Sequence, residues 1–335
     1  MKEALVAPGP KVQIVDSPIP EPGPDQVVTK VVVSGTNPKD YKLPDWLKTT
    51  ANEGDDIAGI VHSVGSNVTE FKPGDRVAAF HEMMKPHGSY AEYALSWQHT
   101  TFHIPKQVSF EEAATLPLAV MTSCIGLYLR LGLPEPWRPA TTPIPLVIYG
   151  AASAVGSYAV QLAVRSNIHP LICIAGKSQA HVESMIDRSK GDTIVEYRSG
   201  NDGVVAGIKN ALNGQKLLHA FDAVSEKGSY QNICRVLEPT GKITLVLVDR
   251  DFPEIPASVE QSTTMVGCVH EEDKDFGQVF FRYIAKALGD GWFRPQPHEV
   301  VPGGLDGVQT ALDNLKEGKA NAVKYVFRIS ETKGL

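Results

Sequence analysis

A glycine loop between two apolar segments is the first feature of the sequence whose residues could do chemistry. It reads GAASAVG, Gly150 to Gly156, follows the apolar run 144–149 and precedes a stretch with helical spacing. Small residues at the start of a helix leave its backbone N–H groups open to a phosphate, which the helix dipole also favours. Because Ala152 departs from the common Gly-x-Gly-x-x-Gly pattern, the strand-to-helix context is the main evidence for a dinucleotide pyrophosphate site. An ordinary tight turn in a parallel α/β domain is the alternative.

The residues after the next predicted strand indicate which dinucleotide would bind. Binders of NAD place an Asp or Glu about 20 residues after the glycine loop, where it accepts hydrogen bonds from the ribose hydroxyls. Here that strand ends at Gly176, Lys177 and Ser178. A lysine attracts a 2′-phosphate, and the serine can donate a further hydrogen bond, so we expect NADPH in preference to NADH. Tyr197 would lie near the same phosphate or the adenine, unless Lys177 is a solvated lysine and Tyr197 a boundary aromatic.

The elements that position these residues alternate between short apolar runs and helical stretches from about residue 144 onward. This alternation predicts a parallel sheet with helices on both faces, the doubly wound α/β arrangement. The predicted strands are 144–149, 170–175, 193–197, 217–224 and 242–248, and the predicted helices are 157–167, 179–190, 202–212 and 229–237.

The first third of the chain is rich in Gly and Pro and has short β-branched runs, at 27–33, 57–64 and 76–80, which predict a mostly antiparallel β region. Ser109 can cap a helix that begins at Phe110, with two glutamates in its first turn. The last part of the chain predicts helices at 276–288 and 305–316 and a strand at 322–329.

Composition excludes several classes of function. The chain has 335 residues and a net charge of −6, without a basic block, so we do not expect nucleic-acid binding. No apolar run approaches the roughly 20 residues of a membrane-spanning helix, and the N-terminus does not resemble a secretory signal. We therefore expect a cytoplasmic protein without a membrane partner. The four cysteines lie far apart, which argues against a clustered zinc site.

The chain resembles the medium-chain dehydrogenase/reductase superfamily over nearly its whole length, most closely the zinc-free quinone oxidoreductase branch and fungal members that include trans-acting polyketide enoyl reductases. The matching segments are GTNPKDYK (35–42), GDDIAGIVHSVGSNVTEFKPGDRV (54–77), GSYAEYAL (88–95), SFEEAATLPLAVMTS (109–123), YGAASAVGSYAVQLA (149–163) and GKANAVKYVFRI (318–329). The resemblance implies a mostly β, GroES-like catalytic domain formed by residues 1–118 and 270–335. A Rossmann NADPH-binding domain, residues 119–269, would be inserted between them.

Departures from the zinc alcohol dehydrogenases of this superfamily narrow the set of reactions that we expect this chain to catalyse. Gly54-Asp55-Asp56 stands in place of their Gly-His-Glu, and their four-cysteine lobe is replaced by AAFHEMMKPHGSY. We interpret His81 and His87 in this segment as loop histidines and expect no metal. Since a zinc-free hydride donor suits an acceptor that is already electrophilic, we expect reduction of a C=C bond conjugated to a carbonyl, or of a quinone.

The resemblance implies four catalytic residues, Lys42, Tyr41, Thr122 and Asn37. Lys42 is the first candidate for stabilising charge on the substrate oxygen, and Tyr41 for donating a proton. A structural role, in cofactor positioning, loop order or packing, is the alternative for all four. The residues implied for cofactor binding are Lys42, Thr122, Ser153, Ala154, Val155, Gly156, Gly176, Lys177, Ser178, Tyr197, Leu245, Val246, Ala322, Val323 and Lys324.

Several functions stay open at this point. An NADPH-dependent enoyl or enone reductase is expected first, with an NADPH:quinone oxidoreductase and a non-catalytic NADPH-binding accessory or sensor protein as alternatives. The substrate would be a small molecule or an acyl thioester, with a polyketide synthase carrier domain as a candidate partner and a homodimer as a candidate assembly. A serine hydrolase is not expected, because Ser153 lacks the Gly-x-Ser-x-Gly spacing.

Overall fold

A computed structural model describes residues 1–248 and 250–335 of the chain. These residues divide into two compact units. The terminal unit comprises Met1–Met121 and Gly267–Leu335, and the central unit comprises Thr122–Val266. These bounds differ by three residues at each junction from those that the sequence resemblance implies. Within the described ranges, no helix combines the length and apolar character that a membrane span requires.

The strands of the described residues are β1 (Lys2–Ala7), β2 (Lys11–Asp16), β3 (Gln26–Gly35), β4 (Asp56–Val64), β5 (Arg76–Phe80), β6 (Tyr93–Trp97), β7 (Thr101–His103), β8 (Leu146–Tyr149), β9 (Leu171–Ala175), β10 (Thr193–Glu196), β11 (His219–Asp222), β12 (Lys242–Leu245), β13 (Glu260–Thr263), β14 (His298–Val300) and β15 (Lys324–Arg328).

The α-helices are α1 (Lys39–Leu47), α2 (Phe110–Ala113), α3 (Pro117–Cys124), α4 (Ala154–Arg165), α5 (Gln179–Glu183), α6 (Gly200–Leu212), α7 (Ser229–Cys234), α8 (Lys274–Gly289) and α9 (Val308–Lys316). A π-helical segment, Ile125–Arg130, follows α3 directly.

The central unit contains a six-stranded sheet in the order β10-β9-β8-β11-β12-β13, with every pair parallel. Counted along this unit, the order is 3-2-1-4-5-6, the doubly wound arrangement of dinucleotide-binding domains. Fully buried apolar strands such as β8 and β9 are typical of a sheet covered on both faces. The predicted doubly wound α/β fold is therefore confirmed, and β8 and β11 flank the point where the strand order reverses.

The terminal unit contains a seven-stranded, largely antiparallel sheet together with the hairpin β1-β2. Its main path runs β14-β15-β3-β4-β5-β7, and β6 pairs with β3. Both ends of the chain meet in this sheet, because β15 pairs antiparallel with β3, which places Val326 beside Gly35. One buried cluster of this unit combines Ile57, Tyr90 and Phe327 with the apolar face of α9. The expected β character of the first third is confirmed.

The helix predicted after Ser109 is present, with both halves of a capping box. The Ser109 hydroxyl accepts a hydrogen bond from the Glu112 N–H at 3.1 Å, and the Glu112 carboxylate accepts one from the Ser109 N–H at 2.8 Å. The helix predicted over 179–190 is shorter, since α5 ends at Glu183. The Asp187 side chain instead accepts from the Ser189 N–H and starts a separate 3₁₀ turn, Arg188–Lys190.

Several other bounds differ from the prediction. The strand predicted over 242–248 ends at Leu245, and the strand predicted over 322–329 begins at Lys324, because Ala322 adopts φ +53°. A left-handed residue cannot continue a strand. The hairpin β1-β2, the helix α1 and the edge strand β13 were not predicted from the sequence.

A lysine at the start of α1, in the terminal unit, is surrounded by three carboxylates. The Lys39 ammonium lies 2.6 Å from Asp55, 3.1 Å from Asp40 and 3.6 Å from Glu53, and all three carboxylates are buried. Although burial alone lowers it, these carboxylates raise the pKa of Lys39 above its usual value. Burial raises the pKa of Asp40 to about 7, against the opposing effect of Lys39. One internal cation therefore offsets part of the negative charge of these three carboxylates.

His81 completes this cluster. Its Nδ1 lies 2.8 Å from Asp55 and its Nε2 lies 3.0 Å from the Pro86 carbonyl oxygen, so both ring nitrogens face acceptors. Although burial raises it, Lys39 and His81 together hold the pKa of Asp55 below its usual value. His81 follows β5 in a loop, as interpreted from the sequence, but it is buried and bonded within the unit.

Replacing Lys39 by methionine should destabilise the protein strongly, because the three carboxylates would lose their cation. Removing one partner from a buried ion cluster costs about 3–5 kcal/mol, whereas an exposed helix pair is worth about 0.3–0.5 kcal/mol. Urea unfolding at pH 7 measures the difference. The matched control is Lys286→Met, which removes only an exposed pair with Asp290 on α8. Equal losses in the two variants would contradict this account of the cluster.

Candidate cofactor and substrate site

The glycine loop of the central unit joins β8 to α4 at the carboxyl edge of the parallel sheet. Gly150 adopts φ +78°, and a Cβ on Gly156 would lie 2.2 Å from the Gly150 carbonyl oxygen, so both positions require glycine. Ser153 caps α4, since its hydroxyl accepts a hydrogen bond from the Gly156 N–H at 3.0 Å. The loop therefore brings a helix N-terminus of small residues to the sheet's carboxyl edge, an arrangement that fits a pyrophosphate.

The residues expected around an adenosine phosphate come together at the ends of β9 and β10, which are neighbours in the sheet. A Cβ on Gly176 would lie 2.3 Å from the Tyr197 ring, so the glycine allows the ring to lie against the end of β9. Tyr197 is 51% exposed, which leaves ring surface for a ligand. Lys177, which is exposed, and Ser178 follow Gly176 directly. A ribose phosphate at this edge would meet a lysine and a hydroxyl.

Glu196 and Arg198 flank Tyr197 and were not singled out by the sequence analysis. The Arg198 guanidinium donates to both oxygens of Glu196, at 2.7 and 2.6 Å, and Gln179 donates to the same carboxylate at 2.8 Å. The hydrogen bonds from Arg198 lower the pKa of Glu196 to about 2. Arg198 therefore offsets the negative charge of Glu196, next to Tyr197, where a phosphate would bind.

Leu245 and Val246 lie at the carboxyl end of β12, at the same edge of the sheet as the glycine loop. Leu245 is buried, and Val246 lies just beyond the strand with a partly buried side chain. They are placed to form an apolar wall. Thr122, also in the central unit, is buried in the last turn of α3.

In the terminal unit, Lys324, Asp56 and Asn37 form a buried polar cluster. The Lys324 ammonium donates to Asp56 at 2.5 Å, to Asn37 Oδ1 at 3.1 Å and to the Thr115 carbonyl oxygen at 3.3 Å. Asn37 Nδ2 donates to the same Asp56 oxygen at 2.6 Å. Each charged or amide group thus has a partner, which buried groups need. Lys324 has three acceptors within its own unit, one of which is Asn37, and its binding of the cofactor stays a prediction.

The remaining residues of the predicted site lie on α1 and before β15. Tyr41 packs partly against the core of the terminal unit, and Lys42 is half-buried in the first half of α1. Val323 packs against the same core cluster, and the Ala322 carbonyl oxygen accepts a hydrogen bond from Gln296 at 3.0 Å. The terminal unit thus brings Asn37, Tyr41, Lys42 and Lys324 into one region.

The start of α1 is fixed by Asp40. Its carboxylate accepts hydrogen bonds from the Asn37 N–H at 2.7 Å and from the buried Tyr90 hydroxyl at 2.5 Å. These contacts set the position from which Tyr41 and Lys42 project. The role of Asp40 was missed, although an acid in the first turn of a helix is a signal that the sequence contains.

No group of three or more His, Cys, Asp or Glu side chains is arranged to hold a metal ion in residues 1–248 and 250–335. The carboxylates that stand in place of the zinc-type Gly-His-Glu are both engaged by lysines, Asp55 by Lys39 and Asp56 by Lys324.

Comparison with known proteins agrees with this architecture. Residues 23–106 match the alcohol dehydrogenase GroES-like domain family. Two solved structures share the fold over 98% of this chain, the CurK enoyl reductase with a TM-score of 0.77 and 21% identity, and the quinone oxidoreductase from Coxiella burnetii with a TM-score of 0.76 and 22% identity. The match covers 98% and 99% of those chains. At such identities the likeness establishes the fold alone.

Sequence relatives are more specific. The chain is 54% identical to trans-enoyl reductase fsr4 of Gibberella fujikuroi, over 90% of this chain and 91% of the relative. It is 32% identical to trans-enoyl reductase resD of Aspergillus sclerotiorum, over 96% of this chain and 98% of the relative. Similarity of this extent includes both units. The chain therefore belongs to the medium-chain dehydrogenase/reductase superfamily, among the fungal trans-enoyl reductases.

Proposed function

We propose that this oxidoreductase uses NADPH, without zinc, to reduce the C=C bond of an enoyl thioester or enone. The observation that carries the proposal is the 54% identity, spanning both units, to a protein named as a trans-enoyl reductase. The glycine cradle at the switch point of the parallel sheet supports a dinucleotide cofactor. The fold alone would not distinguish this activity from others of the superfamily.

The cofactor would be held along the carboxyl edge of the central unit. The N–H groups of Ala154 and Val155 at the start of α4 would bind the pyrophosphate, while the Gly156 N–H is held by the Ser153 cap. Lys177 and Ser178 would bind the 2′-phosphate, and Tyr197 would lie against the adenine or the phosphate. Leu245 and Val246 would line the nicotinamide. Pairing of Glu196 with Arg198 favours a phosphate here, because the guanidinium offsets a repelling charge.

A reduced nicotinamide held by the central unit would supply a hydride to the β-carbon of the conjugated substrate. The protein must then stabilise negative charge on the carbonyl oxygen and deliver a proton to the α-carbon. We assign the charge stabilisation to the Lys42 ammonium and the proton donation to the Tyr41 hydroxyl. Thr122 would contact the nicotinamide, and Asn37, held by Lys324 and Asp56, would order the loop before α1.

Zinc independence is supported by the positive partners of Asp55 and Asp56. Each carboxylate already has a lysine ammonium within 2.6 Å. A metal ion at this position would have to displace a buried ammonium that already pairs with the carboxylate. A substrate with its own electrophilic β-carbon does not require Lewis-acid activation.

A substrate panel tests the proposed function. Purified protein with NADPH should reduce crotonyl and longer enoyl N-acetylcysteamine thioesters, measured by loss of nicotinamide absorbance, and treatment with a zinc chelator should not change the rate. Activity confined to quinones would favour the quinone oxidoreductase alternative. Failure on thioesters, enones and quinones, with NADPH still bound, would favour the accessory or sensor alternative. A polyketide synthase carrier domain is the proposed source of the natural thioester.

Replacing Lys42 by alanine should lower kcat by about 10²–10³-fold, the usual effect of removing one group that stabilises a developing oxyanion. NADPH should still bind, as measured by its fluorescence. The matched control is Lys286→Ala, a lysine on the exposed face of α8 in the same unit. Unchanged turnover in Lys42→Ala would remove this residue from the mechanism.

Replacing Lys177 by alanine should weaken NADPH binding by about tenfold or more, because a charge-assisted hydrogen bond to phosphate is worth roughly 1.5–3 kcal/mol. NADH binding should change little, since NADH lacks the 2′-phosphate. Titration calorimetry with both cofactors measures the two affinities, with the exposed Lys209→Ala as control. Tighter binding of NADH than NADPH by the unsubstituted protein would contradict the assignment of this cofactor.

A further inference from the structure

A buried carboxylate at the end of β11 organises the turn that follows it. Asp222 is fully buried and accepts hydrogen bonds from the Val224 N–H at 2.9 Å, the Ser225 N–H at 2.8 Å and the Ser229 hydroxyl at 2.5 Å. Burial raises the pKa of Asp222 to about 6, although these three donors oppose the shift. At neutral pH the carboxylate is ionised and can accept all three bonds, which fixes the turn 223–225.

This turn packs against the glycine loop. The Ala223 N–H donates to the Tyr149 carbonyl oxygen at 3.0 Å, and a Cβ on Gly150 would lie only 2.7 Å from Val224 Cγ2. Since β8 and β11 are adjacent at the switch point, the turn borders the crevice in which a dinucleotide is proposed to lie. Any movement of the turn would therefore change the shape of the pyrophosphate loop.

The other side of the same turn holds the end of β12. Ser225 adopts φ +60°, a left-handed conformation that is costly for a residue with a side chain. Its hydroxyl donates to the Asp222 carbonyl oxygen at 3.0 Å and accepts a hydrogen bond from the Val246 N–H at 2.8 Å. Val246 lies one residue past the strand, so this hydroxyl replaces the ladder bond that the strand no longer provides.

We infer that Ser225, oriented by Asp222, is a positioning residue for the nicotinamide half of the cofactor. It ties the Val246 backbone, part of the proposed nicotinamide wall, to the turn that contacts the pyrophosphate loop. The distance between the Val246 backbone and the turn beside the pyrophosphate loop is then set by the Ser225 hydroxyl instead of by strand pairing. The conformational cost of φ +60° at a serine is consistent with a requirement for this hydroxyl, since glycine would adopt the angle freely. This inference rests on the proposed function.

The test compares two ligands that differ only in the nicotinamide. Titration calorimetry would measure the affinities of NADPH and of 2′-phospho-ADP-ribose for the unsubstituted protein and for Ser225→Gly, which keeps the φ angle without strain and lacks the hydroxyl. We expect NADPH binding to weaken by about tenfold, the value of roughly one hydrogen bond, while 2′-phospho-ADP-ribose binding stays within about twofold. Ser225→Ala should show the same selectivity with lower stability. Ser184→Ala, which removes an exposed hydroxyl of the same unit, is the control.

The outcomes separate this inference from the proposed function. Equal weakening of both ligands, or unchanged affinity for both, in Ser225→Gly would overturn the positioning role and leave NADPH binding intact as a property of the protein. Unsubstituted protein that binds neither ligand would contradict the proposed function and this inference with it. Asp222→Asn keeps an oxygen for the Val224 and Ser225 N–H groups, so it should retain most of the affinity for NADPH that Asp222→Ala loses.

Discussion

Buried charge in the terminal unit must be neutralised from within, and this constraint shapes the region that carries the proposed catalytic residues. Two lysines supply positive charge for these buried carboxylates. Lys39 lies among Asp40, Glu53 and Asp55, and Lys324 lies against Asp56. Desolvated carboxylates are costly unless they are paired and hydrogen-bonded, so the backbone segments that bear these groups are held to a narrow set of positions.

The Lys324 contacts show how this constraint links distant parts of the chain. Asn37 precedes α1, Asp56 begins β4 and Lys324 begins β15, near the end of the chain. Their side chains meet because β3 pairs with both β4 and β15. The pairing of these two parts of the chain in one sheet thus creates a buried polar cluster that neither part contains alone. Lys324, for which the sequence resemblance implied cofactor binding, is hydrogen-bonded within this cluster, and its binding of the cofactor stays a prediction.

In the central unit the governing fact is that all strands run parallel. The carboxyl ends of β8 to β12 therefore lie along one edge of the sheet. This edge brings together the glycine loop, the Lys177 segment, Tyr197 and Val246, which span 97 residues of sequence from Gly150 to Val246. Because the sheet fixes where each of these turns begins, each turn can differ in conformation and in side-chain contacts. In the turn after β11, the Ser225 hydroxyl accepts a hydrogen bond from the Val246 N–H, just past the end of β12.

Local signals were sufficient for much of this architecture. Apolar runs predicted β3, β4, β5, β8 and β9, and Ser109 as a cap predicted the start of α2, because these features depend on neighbours within a few residues. The predicted bounds of helices and strands were wrong where a turn shortened the element. After α5 the chain forms a separate 3₁₀ turn that the Asp187 side chain caps, and the left-handed Ala322 delays the start of β15; apolar periodicity reports neither feature.

The sequence by itself determined the fold class, the glycine loop and the lysine after the second strand of the nucleotide-binding sheet. It did so because strand and helix periodicity, and the charge next to a phosphate loop, are local properties. Only the tertiary structure decided which polar groups are partners. The pairs Asp56–Lys324, Asp55–His81 and Ser225–Val246 join residues that lie 21 or more positions apart. Burial makes partners necessary for the two charged pairs, which no spacing in the sequence could show.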